Sequence, residues 1–201
     1  MLEISNTKVY DLEESVIASR NAMRLNPAAY TSEEFKKSFD RASQLAMLGG
    51  GSGHSNFRKG IRVSFDIKYP NYFSPEMQRY GFIDIVCSSS TMHRLFRMDM
   101  DACFNEWVGD REKSNMKEYV AAYNEDKSEA NFMRMISNCP RGIELFMRCS
   151  TNYEQLATIY KQRRTHKLPE WHVFLDWIVG LPYSKELILC GLKLRDKDKT
   201  E

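Results

Sequence analysis

Ile61-Arg62-Val63-Ser64-Phe65-Asp66-Ile67 alternates apolar and polar side chains with period two. Successive side chains of an extended chain point to opposite faces, so this stretch reads as a strand with one face buried and one facing water. It anchors the reading of everything around it. Before it, Ser32 to about Leu48 places Phe35, Phe39, Ala42 and Ala46 at helical spacing and predicts an amphipathic helix. That helix runs into Gly49-Gly50-Gly51-Ser52-Gly53, a glycine-rich loop. An earlier helix is expected from near Asp11, where Asp11 and Glu14 have capping-box spacing, up to a stop at Pro27.

Beyond the strand, Pro70 and Pro75 bracket a turn, and Phe82-Ile83-Asp84-Ile85-Val86 is rich in β formers, with a helix left open there. Helices are expected around Met98 to Val108, Ser114 to Asn124 and Ser128 to Ser137, then a strand or connector over Ile143 to Cys149. Tyr153 to Arg164 reads as a helix, and the next, opening at Pro169, sets Trp171, Phe174, Leu175 and Ile178 on one side and ends at Pro182. Ser184 is expected to cap a last short helix through Leu192, and the charged tail from Lys193 to Glu201 is expected to fray. The sum is an α/β chain with one domain over residues 1–192 and a charged tail over 193–201.

Composition narrows the class. The chain has 201 residues, 42% of them hydrophobic, enough for one buried core. No run approaches the roughly 20 apolar residues that span a bilayer, and Met1 to Tyr10 is mixed and polar, unlike a secretory signal. Five cysteines without a CxxC pair read as free thiols in a reducing cytoplasm. The four histidines lack metal-ligand spacing, and a net charge of +2 gives no bulk argument for nucleic acid.

Three places carry candidate chemistry. The glycine loop with His54 and Ser55 can bring backbone N–H groups to a phosphate, although it matches neither a P-loop nor a dinucleotide fingerprint; a plain loop is the simpler reading. Arg79 and Cys87-Ser88-Ser89-Ser90-Thr91-Met92-His93-Arg94 offer hydroxyl, imidazole and guanidinium donors to a phosphate or a flavin ring, or simply cap a helix. Thr151-Asn152-Tyr153 precedes Gln162-Arg163-Arg164-Thr165-His166, and Asn152 and Arg163 sit about 16 Å apart by helical rise. That span suits an extended cofactor or nucleotide. A helix cap and a solvated basic face are the plain alternatives.

At these places the chain resembles the flavin-dependent thymidylate synthases, and is closer still to phage and gut-bacterial relatives of that family with SCSTMH-like and QRRxHxLPEW-like segments. Here those read Ser88 to His93 and Gln162 to Trp171. His54-Ser55 before the strand is similar to the family's early His-Ser segment. Arg79 opens the main motif, Ser89 falls at its later serine, and Asn152 and Arg163 keep the separation of the late one. Gly81 stands at the motif's second arginine, Val86-Cys87 at its Asn-Glu pair, Thr91-Met92 at its Arg-Tyr pair, and Glu154 at an arginine, a reversal of charge.

The resemblance implies a central, mostly antiparallel sheet flanked by helices, a homotetramer with sites between subunits, FAD as cofactor and dUMP or a related pyrimidine nucleotide as substrate. It implies that Arg79, Ser89, Ser90 and Arg163 contact phosphate or base, with Arg163 also the catalytic candidate, and that His54, Ser55, Asn152 and His93 face the flavin. Each lost arginine removes roughly 1.5–3 kcal/mol of charge-assisted binding, so changed or lost catalysis stays open. The second expectation is a phage or mobile-element binding protein that reuses the fold to hold a nucleotide, a nucleic acid or a host defence protein. The basic cluster Lys161, Arg163, Arg164, His166 and Lys167 motivates it.

Overall fold

A computed structural model describes residues 2–49 and 53–199. Its centre is a four-stranded, wholly antiparallel sheet in the order β1-β2-β4-β3. The strands are β1 (Glu3–Tyr10), β2 (Arg62–Pro70), β3 (Asp84–Ser88) and β4 (Glu144–Asn152). The alternation that opened the sequence reading is β2: Val63, Phe65, Ile67 and Tyr69 are buried, while Arg62 and Lys68 face out. On its partner β4, Leu145, Met147, Cys149 and Thr151 share the inner face. The chain is therefore mixed α/β around a mostly helix-flanked sheet, as expected.

The inner face packs on α7 (Tyr153–Arg163) and α8 (Pro169–Val179). Phe65 meets Phe174 and Trp177 at ring distances of 5.8 and 4.5 Å, and Phe73 meets Trp171 at 4.8 Å. Trp171, Phe174, Leu175 and Ile178 are all buried, so the predicted stripe of α8 is its core face. Around this layer lie α1 (Leu12–Ala18), α2 (Ser32–Met47), α3 (Ser74–Gln78), α4 (Thr91–Arg94), α5 (Asp110–Glu125) and α6 (Glu129–Ser137). The last two form a hairpin stapled by Asn131, whose amide donates to Ala122 O (3.3 Å) and Asp126 O (3.0 Å).

Several local expectations need correction. Glu3–Tyr10, in a segment given no element in the sequence reading, forms β1, a mostly exposed edge strand with no alternation of its own, held by its ladder to β2. Asp11 sits in the left-handed region (φ 56°) and its side chain caps nothing, so no capping box forms. Met98 to Val108 is not helical. It is pinned to β4 by main-chain bonds, Asn105 N to Gly142 O (2.9 Å) and Glu144 N to Cys103 O (2.8 Å), with a bridge between Phe104 and Ile143. Satisfying backbone groups across to a neighbouring strand competes directly with helix formation. After Ser184 comes one π-helical turn, Lys185–Leu189, and the Ser184 side chain makes no cap. Α8 ends at Val179, before Pro182.

The tail does not fray over its described residues. Arg195 is buried and holds Asp176 (2.7 Å) and Asp198 (2.5 Å), while Tyr160 donates to Asp198. The centre of the glycine loop, Gly50 to Ser52, lies outside the described residues.

Candidate functional site

The outer face of the sheet is solvated, and its β4 side chains there include Phe146, Arg148 and Ser150. Between this face and α4 lies a cleft of about 620 Å³. The chain enters it from β3, whose ladder to β4 is bulged between Ile85 and Cys87. Ser89 continues the pairing outside the strand: its N–H donates to Phe146 O (2.8 Å), and its hydroxyl oxygen accepts the Phe146 N–H (3.0 Å). The Ser89 O–H hydrogen is left to point elsewhere. Ser90 stands at the N-cap of α4 without a side-chain bond to the helix. Ser88, Ser89, Ser90 and His93 all line the cleft.

Charge in the cleft divides into paired and unpaired groups. Arg148 bonds Asp66 (3.0 Å) and Asn6 O (3.0 Å), and Lys68 pairs with Glu144 at 2.7 Å. Arg94 has no ion pair among the described residues; its guanidinium lies 4.8 Å above the ring of Phe146, which is 54% exposed. Hydroxyls, an imidazole, a guanidinium and an exposed ring can together bind a small ligand that carries both a flat face and an anion.

The other predicted residues lie elsewhere in the chain. Asn152 is six residues further along β4 than Phe146, about 20 Å at strand rise. Its side chain accepts the Gln155 N–H (2.9 Å), the helix-cap reading, and it borders a hollow of about 220 Å³ with Phe82, Glu154 and Thr158. Arg163 is turned inward. It donates to the Tyr80 hydroxyl (2.6 Å), pairs with Glu76 (2.9 Å) and lies 4.7 Å over the Trp171 ring. Arg79, at the end of α3, is exposed. Both motifs thus meet the connection from α3 to β3: Arg163 at Tyr80, and Thr151 at Phe82, whose carbonyl accepts its hydroxyl (2.9 Å).

His54 lines a separate cleft of about 670 Å³ between α2 and the segment that follows α1, with Arg20, Lys37 and Arg41. Ser55 is buried and donates to Gly49 O (3.3 Å). Glu154, where the resemblance expects an arginine, forms a 2.6 Å pair with the buried Arg58. Within one chain the structure therefore gathers Ser89, Ser90 and His93, and holds Arg79, Arg163, Asn152, His54 and Ser55 apart from them. Among the described residues no His, Cys, Asp or Glu cluster has the makings of a metal site. No helix is long and apolar enough to cross a membrane.

Sequence reasoning passed over Phe146 and took Arg94 only as one donor at the end of the serine-rich run. Phe146 had a signal: Leu145-Phe146-Met147 breaks the alternation of β4 by placing an aromatic at a solvent-side phase. Arg94 ended the serine-rich run, but its stacking on β4 is a long-range contact with no local trace.

No protein-family model matches the sequence, and no curated protein matches it significantly. Solved structures do match. A flavin-dependent thymidylate synthase ThyX from Helicobacter pylori, complexed with FAD and dUMP, is 15% identical and aligns over 95% of this chain and 100% of its own, with a TM-score of 0.73. A second structure of ThyX from Helicobacter pylori with FAD and dUMP gives 16% identity, 96% and 100% coverage and a TM-score of 0.70. The UMP/dUMP methylase PolB from Streptomyces cacaoi, bound with 5-Br dUMP, gives 14% identity, 93% coverage of each chain and a TM-score of 0.60. The sheet order, the helices on its inner face and this agreement over nearly the whole length give the chain the fold of the flavin-dependent thymidylate synthases.

Proposed function

We propose that the protein binds a pyrimidine nucleotide of the dUMP type, as a thymidylate synthase-like protein with changed or lost catalysis. The observation that carries this is the cleft on the open sheet face. It gathers Ser89, Ser90 and His93 in a fold whose solved neighbours hold dUMP or 5-Br dUMP. Its volume is of the order that small-molecule sites use, about 300–1,000 Å³. Ser89 and Ser90 serve as hydroxyl donors to the ligand, and His93 as a further donor beside them.

FAD is the cofactor bound in the Helicobacter pylori structures. The residues expected to face it do not form one cradle in this chain. Ser55 is turned to the main chain, Asn152 caps α7, His54 lines a separate cleft beside α2, and His93 lies in the sheet cleft. The nucleotide reading therefore stands without a flavin step; the exposed Arg79 enters the site only across a contact between copies, while Arg163 is engaged by Glu76 and Tyr80 within its own chain. A homo-oligomer supplies such contacts; β3 presents Ile85 and Val86 to solvent on an unpaired edge.

Calorimetric titration with dUMP tests the reading. Binding in the micromolar to low millimolar range is expected. No binding at millimolar dUMP, with or without added FAD, overturns it. An absorption spectrum of the purified protein separately reports flavin.

A second reading rests on a different surface. Arg79, Lys161 and Lys167 are exposed cations without ion pairs among the described residues, around the end of α7 where Arg164 also lies. Such a ridge suits a phosphate backbone. It predicts binding to single-stranded or duplex nucleic acid that weakens steeply with salt; salt-independent binding, or none, removes it.

A further inference from the structure

The cleft on the sheet face has a direction. Arg94 lines it, and the same side chain lines a second cleft of about 470 Å³ together with Arg97, Met98 and Asp99. The two clefts share Arg94 in their linings. Their chemistry differs. The first cleft contributes the exposed ring of Phe146 and the serine hydroxyls, and its other cations, Arg148 and Lys68, are already held by Asp66 and Glu144. Two uncommitted guanidinium groups stand here, Arg94 in both clefts and Arg97 in the second. Arg94 and Arg97 make no ion pair among the described residues, and each rests on an aromatic ring, Phe146 at 4.8 Å and Phe96 at 4.9 Å.

We infer that the two clefts together take a nucleoside phosphate in one orientation, with the base in the cleft lined by Phe146 and the serine hydroxyls and the phosphate between Arg94 and Arg97. This rests on the nucleotide reading above and assigns roles to three residues outside it. The physical case is the separation of two kinds of recognition. An exposed aromatic face binds flat rings by stacking and needs no phosphate on the ligand to do so. A guanidinium without a carboxylate partner is the strong ligand for phosphate, through paired N–H donors, and one resting on a ring is already oriented. Phe146 is also fixed in place, because its main-chain N–H and C=O are both bonded to Ser89. The serine that offers a hydroxyl to the ligand thus sets the position of the ring beneath it.

The test compares dUMP, deoxyuridine and inorganic phosphate by calorimetric titration against the unaltered protein and the variants Arg94→Gln, Arg97→Gln and Phe146→Ala. All three side chains are exposed, and unchanged circular dichroism and melting midpoints confirm folding. Arg94→Gln is expected to weaken dUMP about tenfold or more and leave deoxyuridine within about twofold. Arg97→Gln is expected to act in the same direction. Phe146→Ala is expected to weaken dUMP and deoxyuridine together, about tenfold, while Phe146→Tyr restores both. Phosphate alone is expected to compete with dUMP in the unaltered protein and not in Arg94→Gln.

If the unaltered protein binds dUMP and the variants bind it equally well, the ligand lies elsewhere: this inference falls and the nucleotide reading stands. If Arg94→Gln weakens deoxyuridine as much as dUMP, the proposed orientation is wrong. If the unaltered protein binds none of the three, both fall.

Discussion

Glu154 shows what a single residue's charge can and cannot announce. In sequence it stands where the resemblance expects an arginine, a reversal with no visible partner. In the structure it meets Arg58, 96 positions away, at 2.6 Å, and Arg58 also donates to Leu187 O. The guanidinium is 3% exposed. Removing one member of such a pair strands a buried charge, which costs about 3–5 kcal/mol. Glu154→Ala is therefore expected to lower stability by about that amount, read as a fall in the urea midpoint without a change in slope; a loss below about 1 kcal/mol would show Arg58 reaching solvent or another acceptor. Asn152 was the opposite case. Its cap follows from its own type and position, so local sequence was enough to suggest it. The spacing of Asn152 and Arg163 was equally legible, but the direction in which Arg163 points depends on Glu76, Tyr80 and Trp171, which no local pattern brings together.

Elements were legible where their own residues decide them. Helix α2 and helix α8 announce themselves by periodic apolar faces, and β2 by alternation. Α6 begins where Ser128 accepts the Asn131 N–H. Ser128→Ala is expected to cost about 1 kcal/mol and to raise amide exchange in the first turn of α6 before that of α5; equal exchange in both would place the cap outside the helix's stability. The elements that were missed are those a neighbour creates. Strand β1 has no face of its own. It exists because β2 offers a free edge, and Trp177 of α8 adds a bond to Thr7 (3.0 Å). The stretch through Phe104 has enough apolar residues for a helix, but β4 takes its backbone bonds first.

At the scale of the whole molecule, the last residues close the helical layer. Arg195 joins α8, through Asp176 and the His172 carbonyl (3.1 Å), to the end of the chain, through Asp198. Burial pushes the Asp198 carboxyl up, but the Arg195 and Tyr160 hydrogen bonds outweigh it and hold the group below the ordinary aspartate value. A carboxylate whose folded pKa is lowered contributes stability above its unfolded pKa and loses it as pH falls through the folded one. The unaltered protein and Asp198→Asn are thus expected to differ in melting midpoint near pH 6. The two should converge as pH drops below the ordinary value of about 3.9; a gap that persists at low pH would mean the bond is not ionic. The charge pattern of the tail was plain in the sequence, but its docking was not, because the partners lie on α7 and α8.

Just before that tail, Gly191 takes φ +72°, and a Cβ there would stand 2.8 Å from the Met47 carbonyl oxygen at the end of α2. Two stretches of main chain, far apart in sequence, touch with no room for a methyl group. Gly191→Ala would carry the left-handed penalty of about 1–2 kcal/mol as well as the collision, a drop of about 4 °C or more in melting midpoint. A seam of bare backbone has no side chain that can yield, so prying α2 away also lifts the residues that lead into the terminal clasp, and the second helix and the end of the chain should melt in a single step.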